Sequence, residues 1–404
     1  MEEKSPVYLV MVTQNNNNKY YRMIPQGDRF EVEFGRVGAS CQHASYPISQ
    51  WNKKYNEKIR KGYVDQTHLV QDLIKKEQPK EKTEYRAIEN ESVAEIVQRL
   101  QDMARQKISA NYRVSSTQVT QAMIDEAQRV IDDLTKITSI GDFNDTLLKL
   151  YTVIPRKMVD VRGHLAKSAD DFSRIIKDEQ DLLDVMRGQV VTHVAEEETE
   201  IATTTVNERT ILETMGLEVE DVDDAEIALI KDKLGEISGK FYKAWRVRNF
   251  ATQKRFDEFV EKEHITDTRL YWHGSRNENW WSIINNGLMI RPSNAVLTGA
   301  MFGYGIYSAN KARKSLGYTS LSGSYWAHGG SNFAFMALME FAYGKPYNIY
   351  DHKVKYYDYN YEKLQADCLG ANCLHAHAGR SLRNDEIIFY NVEQCTIKYL
   401  VELR

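Results

Sequence analysis

Residues Tyr271–Arg276 read YWHGSR and follow the segment ITDTRL (residues 265–270), whose composition is typical of a β-strand. Histidine, glycine and serine in succession, after two aromatic residues, are unusual at the end of a core strand. A histidine at such a position is more often a hydrogen-bonded part of the scaffold than a ligand contact. By itself this stretch therefore predicts only a strand that runs into a turn.

Two further stretches also place polar or glycine-rich residues at the ends of predicted strands. They are GAMFGYGIYSA at residues 299–309 and NDEIIFY at residues 384–390. The glycine-rich stretch is not a Walker A loop because no GK[ST] follows it, and such glycines more often form a tight turn. An acidic residue at the start of a strand is usually just solvated. The meaning of the three stretches depends on their occurring together, in this order.

Length and composition limit the class of protein. The chain has 404 residues, which predicts two to four domains. It is 42% apolar and 27% charged, so packed cores can form. The net charge of -4 gives no overall nucleic-acid signature, so any basic surface must be local. We see no secretory signal and no apolar run long enough to span a bilayer, and we expect a soluble intracellular protein.

The first of three segments, residues 1–78, has alternating patterns typical of β-strands and a hairpin loop at residues 15–18. A helix is predicted in ISQWNKKYNEKIRKGY, where Lys53, Lys54 and further basic residues oppose a single acidic residue. Taken alone, this basic run is most simply a solvated helix face. KKEQPKEKT, residues 75–83, predicts a linker.

The second segment, residues 86–200, predicts an all-α bundle because apolar residues recur at helical spacing in four successive stretches. Its first helix is expected to begin with a capping box of Ser92 and Glu95. THVAEEETE, residues 192–200, predicts an acidic linker or loop.

The third segment, residues 201–404, mixes strand patterns with short helices. CTIKYLVEL, residues 395–403, alternates as a strand does. Short helices are predicted in ENWWSIINNG, ended by Gly287, and in NKARKSLGY, opened by Asn310 and ended by Gly317.

The order and spacing of the three strand-end stretches resemble the catalytic domain of the poly(ADP-ribose) polymerase family, the diphtheria-toxin-like ADP-ribosyltransferases. The resemblance implies a signature triad of His273, Tyr307 and Glu386 from three strands. The segment RKSLGY also matches the family, in which a serine and a tyrosine three positions later follow the tyrosine strand. These residues are Ser315 and Tyr318.

The resemblance extends to the other segments. FGRVG in the first segment is similar to the signature of a WGR domain, with Phe34 where the family has tryptophan, and LYTVIP in the second is similar to the regulatory helical domain. The implied fold class is multidomain α+β, with the three segments as its domains. They are a small β-rich WGR-like DNA-sensing domain (1–78), an all-α regulatory helical bundle (86–200), and a mixed α/β ADP-ribosyltransferase domain of diphtheria-toxin type (201–404).

In this family the substrate is NAD+, and the resemblance assigns roles residue by residue. The backbone of Gly274 and the hydroxyl of Ser315 would hold the nicotinamide carboxamide, while Tyr318 and Tyr307 would stack on the ring. Glu386 would bind the nicotinamide-ribose hydroxyl and steady the oxocarbenium-like state. The implied catalytic residues are Glu386, His273 and Tyr307. The implied NAD-binding residues are His273, Gly274, Ser275, Asn279, Ser282, Ser315 and Tyr318.

The resemblance also implies contacts with broken DNA through the first segment. The residues concerned are Phe34, Arg36, Lys53 and Lys54. Arg36 suits either a DNA phosphate or an interdomain contact.

The implied function is a DNA-damage-dependent poly(ADP-ribose) polymerase that modifies protein acceptors, including itself. One alternative is a mono-ADP-ribosyltransferase of the same family, and another is a catalytically weak scaffold that binds DNA ends. In a third, the first segment binds protein rather than DNA. The expected partners are DNA strand breaks and protein acceptors, with no membrane. The expected location is the nucleus if the protein is eukaryotic, or the nucleoid-associated cytoplasm if bacterial.

A second cluster of reactive residues occurs in CLGANCLHAHAG. It contains Cys368, Cys373, His375 and His377, all of zinc-binding type, but the spacing C-x4-C-x-H-x-H is not a common ligand pattern. We therefore expect NAD+ as substrate and no metal. The four cysteines of the chain are sparse, which suits a reducing compartment better than a disulfide framework.

Overall fold

A computed structural model of the chain describes residues 4–70, 85–112, 119–202, 209–290, 301–352 and 356–404, with the backbone alone at residues 191–202. The predicted linker at residues 75–83 and the first two residues of the 299–309 stretch lie outside these ranges. The chain divides into two compact units. The first comprises Met1–Lys82 and Arg105–His193, and the second comprises Thr83–Ala104 and Val194–Arg404. No described helix is long and apolar enough to cross a membrane.

The first unit contains a five-stranded antiparallel sheet in the order β4-β3-β2-β1-β5. The predicted hairpin is confirmed, since β1 and β2 pair directly around a turn in which Asn16 has a φ of 61°. Trp51 of helix α1 packs edge-on against Phe30 of β3, with ring centroids 5.1 Å apart, and closes the core of the sheet. The elements are β1 (Val7–Thr13), β2 (Asn17–Gln26), β3 (Arg29–Arg36), β4 (Gln42–Pro47), α1 (Trp51–Arg60) and β5 (Val64–Asp65).

Each of the four stretches predicted to be helical contains a helix, and two of these helices extend into the second unit. Thr120 and Ser139 cap two of the four helices by accepting backbone N–H bonds from the third helical residue. The expectation of a linker or loop at residues 192–200 is wrong, because the last helix continues through them. Glutamate and alanine have high helix propensity, which explains why an acidic run without an apolar face is helical here. The helices are α2 (Glu91–Asn111), α3 (Gln121–Leu134), α4 (Ile140–Val153) and α5 (Phe172–Ala202).

Helix α2 contributes its residues up to Ala104 to the second unit and the rest to the first. The predicted capping box is wrong. Asn90 caps the helix by accepting from the N–H of Val93. Ser92 instead donates to Asp221 at 2.6 Å and accepts from the indole of Trp245 at 3.0 Å. The division into three independent domains, by contrast, stays a prediction.

The second unit contains two sheets. The larger is antiparallel, with the order β6-β7-β14-β10-β8, and the smaller has the order β11-β12-β13-β9 with a parallel β11–β12 pair. Four tryptophans fill the core and are almost fully buried: Trp245, Trp272, Trp280 and Trp281. The strands are β6 (Leu217–Asp221), β7 (Phe241–Asn249), β8 (Thr268–Gly274), β9 (Ile306–Ser308), β10 (Ala334–Ala342), β11 (Pro346–Ile349), β12 (Cys373–Ala376), β13 (Glu386–Phe389) and β14 (Cys395–Leu403).

Six α-helices lie wholly within the described part of the second unit, and they carry two of the predicted site residues, Ser282 and Ser315. Gly287 ends one of them as predicted, with a φ of 77°. Another starts two residues after Asn310, the predicted first residue, and ends at Gly317 as predicted. The helices are α6 (Ile211–Thr214), α7 (Asp224–Leu234), α8 (Phe250–Lys262), α9 (Trp280–Asn286), α10 (Ala312–Leu316) and α11 (Tyr361–Asp367).

Candidate active site

Strands β8, β9 and β13 adjoin one another and carry the three predicted catalytic residues. Strand β13 pairs antiparallel with β9. Strand β8 belongs to the larger sheet, but Trp272 and Ala309 exchange two backbone hydrogen bonds of 2.9 and 3.1 Å, which joins β8 to the end of β9. His273, Tyr307 and Glu386 therefore lie on three neighbouring strand segments.

The imidazole of His273 is held in one tautomer by its surroundings. Its Nδ1 lies 3.3 Å from the carbonyl oxygen of Tyr307, which can only accept, so Nδ1 carries the proton. Trp280 packs edge-on against the ring at 6.4 Å. Burial lowers the pKa of His273 to about 4, so the ring is neutral at pH 7. Its Nε2 is then an acceptor, suited to a ligand hydroxyl.

Folding stability should fall in acid because of His273, and His273→Gln should reduce this effect. The folded-state pKa lies below the value of about 6.5 expected when unfolded, so the unfolded chain binds more protons between these values. Between about pH 6 and pH 5 the wild type should lose up to about 1.4 kcal/mol per pH unit more than the variant. Urea unfolding measures this by tryptophan fluorescence, since the chain's six tryptophans, apart from Trp51, lie in the second unit.

The exposed His328 provides the matched control for this prediction. Its φ of 47° suits asparagine, so His328→Asn should keep the wild-type pH slope. Equal slopes for the wild type and His273→Gln would show that His273 is not the group responsible.

Gly274 is required by the close approach of α10 to the end of β8. A β-carbon at Gly274 would lie 2.0 Å from the carbonyl oxygen of Ser315 and 2.8 Å from its carbonyl carbon, both impossible contacts. The buried hydroxyl of Ser315 donates to the carbonyl of Trp272 at 3.0 Å. The serine oxygen retains acceptor capacity, and the two backbones are locked together.

Ser275, Asn279 and Ser282 follow His273 in the sequence and are buried or partly buried polar residues. Asn279 donates its amide Nδ2 to the hydroxyl of Ser275 at 3.1 Å. Its Oδ1 is buried and has no hydrogen-bond partner among the described residues. Ser282 is buried and accepts from Asn286 at 3.3 Å. An unpaired buried amide oxygen is costly and suits a ligand that brings an N–H or O–H donor.

Tyr307 and Tyr318 are partly buried phenols near Glu386. The hydroxyl of Tyr307 donates to and accepts from the backbone of the preceding turn, each at 3.1 Å. The ring of Tyr318 lies nearly parallel to that of Trp326, with centroids 6.2 Å apart. Burial, and then the charge of Glu386, raises the pKa of Tyr318 to about 12, and burial also raises the pKa of Tyr307. Both phenols are therefore neutral at physiological pH.

Glu386 forms an ion pair with Lys314, a residue that the site prediction did not include. The two side chains are 13% and 15% exposed. Burial lowers the pKa of Lys314, although the carboxylate opposes this shift. The available signal was the lysine that directly precedes Ser315 in RKSLGY, but its partner became visible only in the structure. The pair holds the carboxylate in place at the start of β13.

Among the DNA-contact candidates, Arg36 makes contacts within the first unit. Its guanidinium donates to the backbone and side-chain oxygens of Asn16, each at 2.8 Å. It also donates to the carbonyls of Met158 and Val159 at 3.2 and 2.8 Å. Arg36 was expected to contact either a DNA phosphate or another domain. Its bonds to Met158 and Val159 correspond to the second role, because they join the first segment to the second.

The other three candidates differ in exposure. Phe34 is partly buried and packs against Tyr21 with centroids 5.9 Å apart. Lys54 lies with its Nζ 4.2 Å above the ring of Tyr46, and Lys53 is exposed on the same helix. Of these three residues, Lys53 is therefore the one that is exposed.

Comparison with known protein families identifies the second unit. The family described as "Poly(ADP-ribose) polymerase catalytic domain" matches residues 226–404. This range includes all nine catalytic and NAD-binding residues implied by the resemblance: His273, Gly274, Ser275, Asn279, Ser282, Tyr307, Ser315, Tyr318 and Glu386.

Two relatives come from Invertebrate iridescent virus 6. Uncharacterized protein 101L is 34% identical over 192 residues, which cover 46% of this chain and 79% of the viral protein. Putative poly [ADP-ribose] polymerase-like 100L is 33% identical over 185 residues, covering 44% of this chain and 93% of the viral protein.

A plant relative, Poly [ADP-ribose] polymerase 2 of Arabidopsis thaliana, is 29% identical over 174 residues, which cover 37% of this chain and 26% of the plant protein. The chain therefore belongs to the poly(ADP-ribose) polymerase family and is an NAD+ ADP-ribosyltransferase.

Proposed function

We propose that this enzyme is a DNA-damage-dependent poly(ADP-ribose) polymerase. It transfers ADP-ribose from NAD+ to protein acceptors, including itself, and releases nicotinamide. The observation that carries the proposal is the convergence of His273, Tyr307 and Glu386 on three neighbouring strands, beside the Gly274–Ser315 contact.

NAD+ binds with its nicotinamide at the Gly274–Ser315 contact. The glycine backbone and the serine hydroxyl hold the carboxamide, and the rings of Tyr307 and Tyr318 enclose the pyridine. His273 accepts a ribose hydroxyl of the adenosine portion through Nε2, which its bond to the Tyr307 carbonyl leaves as an acceptor. The orphan amide oxygen of Asn279 supports an adenosine-side contact with a donor group.

Asn279, Ser275 and Ser282 form one polar wall of the proposed pocket. Ser275, whose hydroxyl bonds Asn279, is a ribose contact, and Ser282 is an adenosine-side contact. Asn279 and Ser282 are buried and Ser275 is partly buried, which limits the competition of water for these hydrogen bonds.

Glu386 accelerates the transfer by stabilising charge. Cleavage of the nicotinamide–ribose bond passes through an oxocarbenium-like state, as glycoside cleavage does. The carboxylate stabilises that positive charge and accepts a hydrogen bond from the nicotinamide-ribose hydroxyl. It also polarises the hydroxyl that receives ADP-ribose. Lys314 holds the carboxylate by their ion pair, so little reorganisation is needed at the moment of reaction. A glutamate at this position favours chain elongation over transfer of a single unit.

DNA breaks act through the first unit. Helix α1 carries the exposed Lys53 and the partly buried Lys54, and these positive charges support a phosphate contact although the chain as a whole is acidic. We infer that the nucleus is the site of action in a eukaryote, and the nucleoid-associated cytoplasm in a bacterium.

The helical segment restrains catalysis until DNA binds. The first half of α2 lies on the larger catalytic sheet, where Arg99 donates to both oxygens of the buried Glu402 at 2.8 and 3.2 Å. Release of such a docked helix is the kind of local opening that couples a distant site to an active site.

The proposal predicts that nicked duplex DNA raises NAD+ turnover by about 5-fold or more, within the usual range of coupling between two sites. Nicotinamide release by purified protein measures this, with intact circular duplex as the DNA control. Reversing the charges with Lys53→Glu and Lys54→Glu should remove the stimulation. The same change at Lys254, an exposed residue of α8, should preserve it. Equal turnover with and without nicks would exclude DNA dependence.

The length of the product separates polymerase from single transfer. Labelled NAD+ and a denaturing gel should give automodified protein with long, heterogeneous chains. Single additions only would favour the mono-ADP-ribosyltransferase alternative.

A further inference from the structure

A cluster of His375, His377 and Asp385 lies beside the catalytic strand and outside the proposed NAD+ pocket. One ligand atom from each residue lies within 4.8 Å of the other two. His375 Nε2 is 3.2 Å from Asp385 Oδ2, and His377 Nδ1 is 4.0 Å from the same oxygen. Ligands bound tetrahedrally at 2.0–2.1 Å are roughly 3.3 Å apart, so a shift of at most about 1.5 Å in the half-buried His377 would complete such a site.

Neighbouring groups orient each of the three ligands. The amide oxygen of Asn348 lies 2.8 Å from His377 Nε2 and can only accept, so this nitrogen carries the proton and Nδ1 keeps its lone pair. The hydroxyl of Tyr343 lies 2.7 Å from His375 Nδ1. Hydrogen-bond partners of this kind on the outer ring nitrogen are characteristic of metal-binding histidines.

The carboxylate and the backbone are equally well fixed. Asp385 Oδ1 accepts the N–H of Ala378 at 2.7 Å, which directs Oδ2 to the cluster. Strands β12 and β13 pair antiparallel with Ala376 opposite Glu386, so the ligands flank a rigid ladder. The two imidazole rings are stacked, with centroids 4.0 Å apart.

The two cysteines of the same stretch do not belong to the cluster. Cys373 is buried and donates its thiol to the carbonyl of Tyr343 at 3.4 Å. Cys368 follows helix α11 and packs at the edge of the apolar core. The donor set is therefore two imidazoles and one carboxylate.

We propose that His375, His377 and Asp385 bind a divalent transition-metal cation of the zinc class, with water in the remaining position. Two nitrogen donors and one carboxylate in an open arrangement suit such ions, whereas Mg²⁺ prefers oxygen donors alone. The cation replaces the proton between His375 Nε2 and Asp385 Oδ2. The imidazole proton then resides on Nδ1 and is donated to the oxygen of Tyr343.

The site has a direct structural relation to catalysis. Asp385 immediately precedes Glu386, and its side chain also accepts from Asn310 at 3.2 Å, in the segment between β9 and α10. A cation on Asp385 therefore fixes the start of β13 and ties it to the segment that leads to Lys314 and Ser315. Its role is to hold these elements in register rather than to contact substrate.

The test is zinc binding by protein freed of any polyhistidine tag, measured by competition with a chromophoric chelator. The wild type should bind a single Zn²⁺ and should show higher thermal stability with it. His377→Ala and Asp385→Asn should each weaken binding by about 100-fold or more, since loss of an outer-shell partner alone costs 10–100-fold. Far-UV circular dichroism checks that both variants fold, and Mg²⁺ should not compete.

Two control variants test the choice of ligands. His264→Asn, at an exposed position with a φ of 53°, should bind zinc like the wild type. Cys368→Ser should also bind normally, and Co²⁺ in the wild-type site should show no thiolate charge-transfer band. The proposal fails if the wild type binds no zinc, if His377→Ala and Asp385→Asn bind it unchanged, or if binding requires Cys368. Because the readout is metal binding, its failure leaves the proposed transferase function unaffected.

Discussion

Glu386→Gln is expected to lower ADP-ribose transfer by about 10²- to 10³-fold, the usual cost of removing one group that stabilises developing charge. The amide keeps the shape of the side chain but cannot balance the oxocarbenium charge or polarise the acceptor hydroxyl. KM for NAD+ should change much less than kcat, because the lost interaction is strongest in the transition state. Single-turnover nicotinamide release at a series of NAD+ concentrations measures the changes in rate and in the NAD+ concentration required. A product gel measures the loss of ADP-ribose transfer.

Two further variants separate the charge of Glu386 from its positioning. Glu218→Gln makes the same chemical change on an exposed residue of β6 and should leave transfer unchanged. Lys314→Met keeps the carboxylate but removes its partner in the ion pair, so a smaller loss of kcat is expected. If Glu386→Gln retains more than about one tenth of the wild-type rate, Glu386 does not have the proposed role.

The candidate site could be outlined from the sequence, whereas the contacts that hold its residues in place could not. His273, Tyr307 and Glu386 were named from three short stretches, and the structure places them on adjoining strands. Lys314 was missed because an ion pair 72 residues apart in sequence leaves no local pattern. The metal-ligand candidates show the same limit, since the two cysteines were grouped with His375 by sequence proximity. The neighbour of the two histidines in the structure is Asp385, which immediately precedes β13.

For the fold, elements with a regular apolar period were predictable and edge elements were not. Strand β14, whose alternation is regular, was predicted over its full length. Strand β6 was not predicted, because only Leu217 of its five residues is buried and an acidic edge strand resembles a loop. The pattern of β7 alternates over part of its length and could have been identified, but its basic residues obscured it.

Gly274→Ala is expected to be the most damaging single-methyl substitution among the proposed site residues. Its β-carbon would lie 2.0 Å from the Ser315 carbonyl oxygen, so β8 and α10 must separate by more than 1 Å to reach an ordinary contact. Overpacking of this kind costs about 1–3 kcal/mol of unfolding free energy. A displacement of about 1 Å in a catalytic site can reduce the rate about 10²-fold. We therefore expect both losses, measured by urea unfolding and by NAD+ turnover.

Gly239→Ala supplies the matched control, because a β-carbon there meets no atom within 4 Å. It should retain wild-type turnover and unfolding free energy to within about 0.5 kcal/mol, as surface substitutions usually do. The sequence explained Gly274 by the approach of backbone to a ligand amide, whereas the structure adds the contact with Ser315. The two explanations differ in what the free protein should show. If only the ligand needed the glycine, Gly274→Ala would bind NAD+ poorly but unfold like the wild type. A loss of stability without substrate would establish that the glycine first allows β8 and α10 to meet, and that the pocket depends on this contact.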